Sequence, residues 1–270
     1  MLQYILADVS DYDVVVTAGG PCSNFNRACA LQCAEAGIPM HLITYTEHPE
    51  EFATSDNLFI CKLADVKMTR CEKTRVAQTI QEVVASYRRK GLKVKSVYGG
   101  GRSVEGIYAY YDAVKELLSQ LPAGETIDKL FVACGTGTTV SGIMAGFQRL
   151  SPSTEIHAIS VARQVSAEMP VIEENLKMLG TCLGKEFDTR NLRFHDEFIL
   201  GEYGATNEAL LSFIKTTVSA TGVLIDPIYT GKALWGMSQC LSDGDNPART
   251  LFWHTGAVYT LLSNQTKFAL

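Results

Sequence analysis

The sequence predicts an α/β protein, with parallel twisted sheets covered by helices on both faces and the chain divided into two domains. Three observations carry this reading. Short β-branched or apolar runs alternate with longer segments of helical period along the whole chain, as strands joined by crossover helices do. Polar, Gly-rich stretches directly follow several of those runs. The strands also fall into two groups, one before about Gly101 and one after about Lys129, which gives a smaller domain over residues 10–110 and a larger one over residues 111–270.

Leu2, Ile5, Leu6 and Val9 share one helical face, so residues 1–9 read as the tail of a helix whose start is absent. Residues 14–16 form a short strand. Gly19-Gly20-Pro21 turns it into Ser23-Asn24, which can cap a helix over residues 26–35. Gly37-Ile38-Pro39 ends that helix, residues 40–45 form the next strand, and residues 58–63 are a further apolar run. Residues 75–90 form an amphipathic helix with Val76, Ile80, Val83, Val84 and Tyr87 on one face. Residues 93–98 read as a strand leading into Gly99-Gly100-Gly101, with a helix over residues 104–118 after it. Further on, the pattern predicts a strand over 155–161, helices over 171–184 and 208–221, and closing strands over 223–226 and 250–254.

Composition narrows the class. The 270 residues are 46% hydrophobic and 20% charged, with a net charge of −5, which argues against a nucleic-acid binder. No apolar run approaches the roughly 20 residues needed to span a bilayer. The first residues, MLQYILADVSDYD, carry no basic region or cleavage-like site, so no signal peptide is expected. Eight cysteines without a C-x-x-C pair suggest reduced, core-filling thiols in a cytoplasmic protein. Cys29 and Cys33 have i,i+4 spacing, but no second pair of ligands accompanies them, so no metal is expected.

The chemistry centres on FVACGTGTTVSGIMAG, residues 131–146. An apolar strand runs into Gly135, Thr136, Gly137, Thr138 and Thr139, and then into a small-residue helix. Glycines admit an anion close to the backbone, the helix start offers N–H groups and partial positive charge, and the threonines add hydroxyls. The stretch reads as a phosphate cradle, although a plain strand-to-helix turn also fits. It is neither a P-loop nor a G-x-G-x-x-G turn, because no Gly-Lys-Ser/Thr follows and Val140 stands where a third Gly would fall. Five other polar stretches follow strands, where parallel sheets bind their ligands: GGPCSN from Gly19, GGGRS from Gly99, GEYG from Gly201, DPIYTGK from Asp226 and HTG from His254. Ser23 and Asn24 equally fit simple capping, Tyr203 and Tyr229 fit packing, and His254 fits a satisfied core histidine.

Taken in order, these stretches resemble the pyridoxal-phosphate enzymes of the D-cysteine desulfhydrase and 1-aminocyclopropane-1-carboxylate deaminase family, with the tryptophan-synthase-β-like fold (fold type II). GGPCSNF is similar to the family's G-G-x-Q-S-N-H, GGRSVEGIYAY to G-G-S-x-x-x-G-x-x-G-Y, GTGTT to G-S-G-G-T, and GEYG to G-x-Y-G. DPIYTGK is close to D-P-V-Y-[TE]-G-K, and HTG parallels H-T-G-G. The resemblance implies pyridoxal 5'-phosphate as cofactor, a small amino acid as substrate and a homodimer. It places the phosphate on Gly135, Thr136, Gly137, Thr138 and Thr139, the cofactor's phenolic oxygen on Asn24 and the pyridine nitrogen on Thr230. It implies that Ser23 lies near the substrate carboxylate or α-carbon, with Tyr203 and Tyr229 over the substrate side of the ring. Thr rather than Glu at position 230 resembles the desulfhydrase branch, and implies a lyase that abstracts the α-proton and eliminates the β-group of D-cysteine or a similar substrate.

Three departures stand out. Cys22 replaces the family's Gln and Phe25 its His. The family's Schiff-base Lys, in N-K-x-R-K-L-E, aligns a few positions before Met1, and no lysine present, including Lys232, takes its place by this alignment. The alternatives are therefore a cyclopropane-amino-acid deaminase, a non-catalytic relative that binds cofactor or amino acid, and a phosphate-sugar or nucleotide binder.

Overall fold

The computed structural model describes residues 1–268. The chain divides into two compact units, Met1–Ser103 and a second beginning at Val104. The first contains α1 (Leu2–Ile5), β1 (Val14–Gly19), α2 (Asn24–Glu35), β2 (Met40–Thr44), α3 (Glu51–Thr54), α4 (Asp56–Leu63), β3 (Lys67–Arg70), α5 (Val76–Arg89) and β4 (Val94–Val97). The second contains α6 (Val104–Gln120), β5 (Lys129–Cys134), α7 (Thr138–Leu150), β6 (Glu155–Ser160), α8 (Val165–Leu183) and β7 (Leu192–His195). It continues with α9 (Glu208–Thr221), α10 (Thr230–Cys240), β8 (Thr250–Phe252) and α11 (Val258–Ser263).

Each unit holds a four-stranded parallel sheet, ordered β3-β2-β1-β4 in the first and β7-β6-β5-β8 in the second. The topology is the same in both. Three strands are laid down in one direction, and the fourth returns to the other side of the first. The switch points fall between β1 and β4 and between β5 and β8, where the carboxyl ends of neighbouring strands diverge and open sheets bind ligands. The Gly19 and Gly99 stretches lie at the first switch point, and the Gly135 and His254 stretches at the second.

Strand alternation covers both faces of each sheet. In β1, Val15 packs with Cys29, Cys33, Leu58 and Cys61 from α2 and α4, while Val14 and Val16 pack under Val76, Ile80 and Val83 of α5. In β5, Leu130 and Val132 join Ile143, Met144, Phe147 and Leu176 from α7 and α8, while Phe131 and Ala133 meet Ala233 of α10. Each buried Val, Leu, Ile or Phe contributes about 1.5–3 kcal/mol relative to exposure. Helix α7 lies close to α6 because Gly142 and Gly146 face it. A Cβ on Gly142 would stand 2.3 Å from Ile107 O.

Some elements differ from the sequence expectation. The apolar face over residues 1–9 is kept, with Ile5, Leu6 and Val9 buried, but the α-helix stops at Ile5 and a 3-10 turn at Val9–Asp11 feeds β1. The run at 58–63 belongs to a helix, because Ser55 Oγ caps Leu58 N at 3.1 Å and Leu58 and Cys61 share its buried side. Residues 223–226 form no strand. Val223 and Leu224 are exposed, and Asp226 N donates to Thr230 Oγ1 instead of to a ladder. Helix α8 begins at Val165 and contains Pro170, so it starts before the expected 171.

No helix among the described residues is long and apolar enough to cross a membrane, and all eight cysteines are free thiols.

Candidate functional site

In the first unit the turn after β1 is held by side chains from α4. Ser23 is the N-cap of α2, its Oγ accepting from Asn26 N at 3.2 Å, so the expected capping is present. Asn57 is fully buried. Its Nδ2 donates to Cys22 O at 2.9 Å and to Asn24 Oδ1 at 3.1 Å, and its Oδ1 accepts from Arg27 Nε at 2.8 Å. Ser55 Oγ donates to Pro21 O at 2.8 Å. The Asn24 side chain is thus oriented from behind. The Gly99–Gly101 turn closes against the same region. A Cβ on Gly99 would stand 2.6 Å from Ala18 O, and one on Gly101 would stand 2.9 Å from Phe25 Cε2. Phe25, the apolar replacement in this motif, packs there with Met1 and Ile5.

In the second unit β5 leads into Gly135 and Thr136, and Gly137 is the N-cap of α7 in the left-handed region (φ +74°). A glycine N-cap has no side chain to occupy the helix start, so the first-turn N–H groups face whatever ligand lies ahead of it. Thr136 Oγ1 and Thr138 Oγ1 lie 3.3 Å apart. Behind Gly137 the space is filled, since an added Cβ would meet Glu168 Oε1 at 2.8 Å and Asn175 Nδ2 at 3.4 Å. Glu168 is fully buried and accepts from Arg163 Nη1 at 2.9 Å. Asn175 Nδ2 donates to Ser141 Oγ, which donates to Gly137 O at 2.8 Å. The cradle is braced from its back by α8.

The DPIYTGK stretch forms a tight turn around the buried Asp226. Asp226 Oδ2 accepts from Ile228 N at 2.9 Å and Tyr229 N at 3.0 Å, and Oδ1 accepts from Thr230 N and Thr230 Oγ1 at 2.8 Å each. Burial pushes the carboxyl above the ordinary carboxylate range, while these donors favour the charged form. Tyr229 is the N-cap of α10, and its hydroxyl lies 2.7 Å from that of Tyr203. Its ring borders the cradle, 3.5 Å from where a Cβ of Gly135 would be. Lys232 is fully buried, donates to Ile199 O at 2.6 Å, and is pushed down to about 8 by burial, with Lys267 adding to the effect. His254 spans Leu224 O (2.9 Å from Nε2) and Gly256 N (3.1 Å from Nδ1), tying two loops together.

Of the residues singled out in the sequence, the structure brings together Tyr203, Tyr229, Thr230 and the 135–139 cradle in the second unit. It brings Ser23 and Asn24 together in the first. The bracing residues Asn57, Ser55, Glu168, Arg163 and Asn175 escape sequence reasoning. Each is an isolated polar residue 30 or more positions from the loop it supports, Arg163 apart, with no local motif. A buried polar residue on a helix that otherwise buries apolar ones is the signal that could find Asn57.

Comparison with known proteins adds the lineage. The profile described as pyridoxal-phosphate dependent enzyme matches residues 1–256. The chain is 28% identical to the D-cysteine desulfhydrase of Yersinia enterocolitica serotype O:8, over 97% of this chain and 82% of that protein. It is 27% identical to that of Salmonella paratyphi B over the same shares. Among solved structures, an ACC deaminase homologue superposes with a TM-score of 0.89 at 25% identity, covering 98% of this chain and 81% of that one. A hydrogen sulfide-producing enzyme from Fusobacterium nucleatum, at 13% identity and a TM-score of 0.59 over 93% of this chain and 81% of that one, shows a shared fold alone.

Proposed function

Because the chain belongs to the pyridoxal-phosphate dependent enzyme family, we propose that it is a lyase for a small β-substituted amino acid, converting D-cysteine and water to pyruvate, ammonia and hydrogen sulfide. The observation that carries this reading is the Tyr203–Tyr229 hydroxyl pair beside the Gly135 end of the cradle.

The residues fit the cofactor. A side-chain-free, left-handed N-cap is filled behind by Glu168 and Ile172, so a phosphate would meet its N–H groups from the opposite side. Gly135, Thr136, Gly137, Thr138 and Thr139 would hold that phosphate, Asn24 the phenolic oxygen and Thr230 the ring nitrogen. When bound, pyridoxal phosphate supplies an electron-withdrawing ring that stabilises negative charge at the substrate α-carbon. Thr230 is a neutral hydroxyl and would place no formal negative charge at the ring nitrogen; to donate to an unprotonated nitrogen its O–H would turn there from Asp226 Oδ1. That favours elimination on a weaker electron sink over the deaminase chemistry of the alternative.

Ser23 binds the substrate carboxylate through its hydroxyl, its Oγ already oriented by Asn26 N. Tyr229 holds the proton that moves between protein and substrate at its phenolic oxygen, and Tyr203 orients it through the 2.7 Å bond. Eight free thiols fit a cytoplasmic setting, and a homodimer completes the reading.

A second reading is a relative that retains cofactor without turnover, and Lys232 favours it. The single fully buried lysine among the described residues is tied to Ile199 O rather than presented to a ligand. One experiment separates the two. The purified chain is mixed with pyridoxal phosphate and D-cysteine, and hydrogen sulfide and pyruvate are measured together. Both products in equal amounts support the lyase. Cofactor bound without either product, and without a borohydride-fixed adduct on any lysine in the intact mass, supports the second reading. Failure to bind pyridoxal phosphate overturns both.

A further inference from the structure

A cluster of metal-ligating side chains stands at the edge of the second unit's sheet, at the opposite end of α10 from Tyr229 and Thr230. His195 closes the edge strand β7, Glu197 follows two residues later, and Cys240 ends α10. His195 Nδ1 lies 3.2 Å from Glu197 Oε1 and 3.6 Å from Cys240 Sγ, and the three ligand atoms all lie within 4.8 Å of one another. In a tetrahedral zinc site with nitrogen and oxygen at about 2.0 Å and sulfur at about 2.3 Å, the ligand nitrogen stands about 3.3 Å from the oxygen and about 3.5 Å from the sulfur. The two separations from His195 Nδ1 match those edges.

His195 Nδ1 faces both partners, and neither neutral form of the ring serves both equally. With a proton on Nδ1, His195 donates to Glu197 and offers nothing to the Cys240 thiol. With Nδ1 bare, it accepts from the thiol and turns its lone pair on the Glu197 carboxylate. A cation between the three satisfies all of them. The required tautomer is compatible with its surroundings, because His195 Nε2 lies 3.0 Å from Nδ1 of the nearly buried His157. When His195 donates there, its own Nδ1 is bare and His157 carries its proton on Nε2. That buried nitrogen has no hydrogen-bond partner and lies 3.7 Å from Glu155 Oε2. The result is an imidazole–imidazole pair aimed at the cluster with the Glu155 carboxylate nearby, akin to the outer partners that orient histidine ligands in metal sites. The carboxyl end of α10 adds partial negative charge, and the nearby Lys129 is paired with Asp245 at 2.5 Å.

We propose that His195 Nδ1, the Glu197 carboxylate and Cys240 Sγ bind a divalent transition-metal ion of the zinc type, with water as fourth ligand. On binding, the S–H bond of Cys240 breaks, a sulfur–metal bond forms, and the proton passes to solvent. The mixed nitrogen, oxygen and sulfur set selects zinc, or cobalt as its spectroscopic stand-in, over magnesium or calcium. Such an ion ties the edge strand β7 to the end of α10.

The test is a cobalt(II) titration of the chelator-treated full chain, followed by zinc competition. The expected result is one cobalt per chain with a thiolate-to-metal charge-transfer band that zinc abolishes. Cys240→Ser removes the band and His195→Gln removes tight binding. Cys182→Ser, an exposed thiol elsewhere, changes neither. His157→Gln weakens affinity by about 10–100-fold while the circular dichroism spectrum is kept. No thiolate band, or a band that survives Cys240→Ser, overturns the proposal and leaves an ordinary His195–Glu197 hydrogen bond. Because the readout needs neither pyridoxal phosphate nor turnover, failure of the lyase reading would not affect it.

Discussion

Thr230 and Asp226 form a closed pair in which Thr230 N–H and O–H both donate to Asp226 Oδ1 at 2.8 Å, while Thr230 Oγ1 accepts Asp226 N–H at 2.8 Å. One hydroxyl therefore satisfies a buried carboxylate and a buried backbone donor at the start of α10. Thr230→Val keeps the shape and removes both functions. Net loss of a hydrogen bond to a charged group, together with an orphaned N–H, predicts destabilisation of about 2–4 kcal/mol. Thr230→Ser should restore most of it. Denaturant unfolding of the three proteins checks this, and equal midpoints for wild type and Thr230→Val would show that the pair does not support the turn.

The cradle makes a prediction that binding alone can read. Gly137→Ala must adopt φ +74°, which costs an L-residue about 1–2 kcal/mol, and its Cβ would press on Glu168 Oε1 at 2.8 Å. The N-cap would shift and its N–H groups would lose their common aim. Pyridoxal phosphate affinity, followed by the cofactor's absorbance, should fall at least about tenfold, equivalent to about 1.4 kcal/mol. Thr139→Ala should fall less, because it removes a hydroxyl and leaves the backbone aim intact. The reverse order would move the phosphate off the helix start.

These two loops were the most legible parts of the sequence, because glycine and hydroxyl residues after a strand have a backbone reason to be there. The strands β1, β2, β5 and β6 were equally clear from buried apolar runs. The edge strands β3 and β7 were not, since KMTR and LRFH are short and polar and pair along one side only. The run at 58–63 could not be told from a strand by its apolar residues, and the deciding contact was Ser55 at the helix start. Val223–Leu224 misled in the other direction, as exposed apolar residues beside a turn built on Asp226. Asn57 was hidden because its meaning lies in Cys22 and Asn24, more than 30 residues away.

Lys232 predicts a pH dependence. Its folded value of about 8 lies below the ordinary 10.5, so between those limits the unfolded chain binds more protons. Stability referred to this group is therefore fully present above about 10.5 and lost as pH falls through about 8. Relative to Lys232→Met, which does not titrate, the wild type should gain about 2–3 kcal/mol between pH 7 and 10.5. Comparing the pair cancels the opposing effect of the buried thiols of Cys29, pushed upward by its contact with Cys33 and then by burial, and Cys61, pushed upward by burial. A difference that stays flat with pH would place the Lys232 ammonium in water.

Asn57→Ala tests the bracing of the turn after β1. The buried amide holds Cys22 O, Asn24 Oδ1 and Arg27 Nε, and its removal takes that donor from the half-buried Cys22 carbonyl. A stability loss of about 1–3 kcal/mol is expected from that carbonyl. A drop in cofactor affinity should accompany it, because Asn24 is no longer oriented. Asn24→Ala should lower affinity while costing less stability. If Asn57→Ala lost stability with affinity unchanged, Asn24 would have no part in holding the cofactor.

The tyrosine pair yields the prediction closest to the chemistry. Tyr229 stands at the N-cap of α10 with its ring against the Gly135 turn, whereas Tyr203 is exposed and lies beyond it. A proton held at Tyr229 can be passed to a group above the cradle, and the 2.7 Å bond lets Tyr203 fix which way the Tyr229 O–H points. Removing the hydroxyl that carries the proton should cost more than removing the one that aims it. Tyr229→Phe is expected to lower kcat for hydrogen sulfide release by about 10²–10⁴-fold with little change in KM. Tyr203→Phe should lower it about tenfold and shift the pH profile of kcat, the signature of a residue acting through its neighbour rather than on the substrate. A larger loss for Tyr203→Phe would reverse the roles, and equal unchanged rates would leave the pair as packing alone.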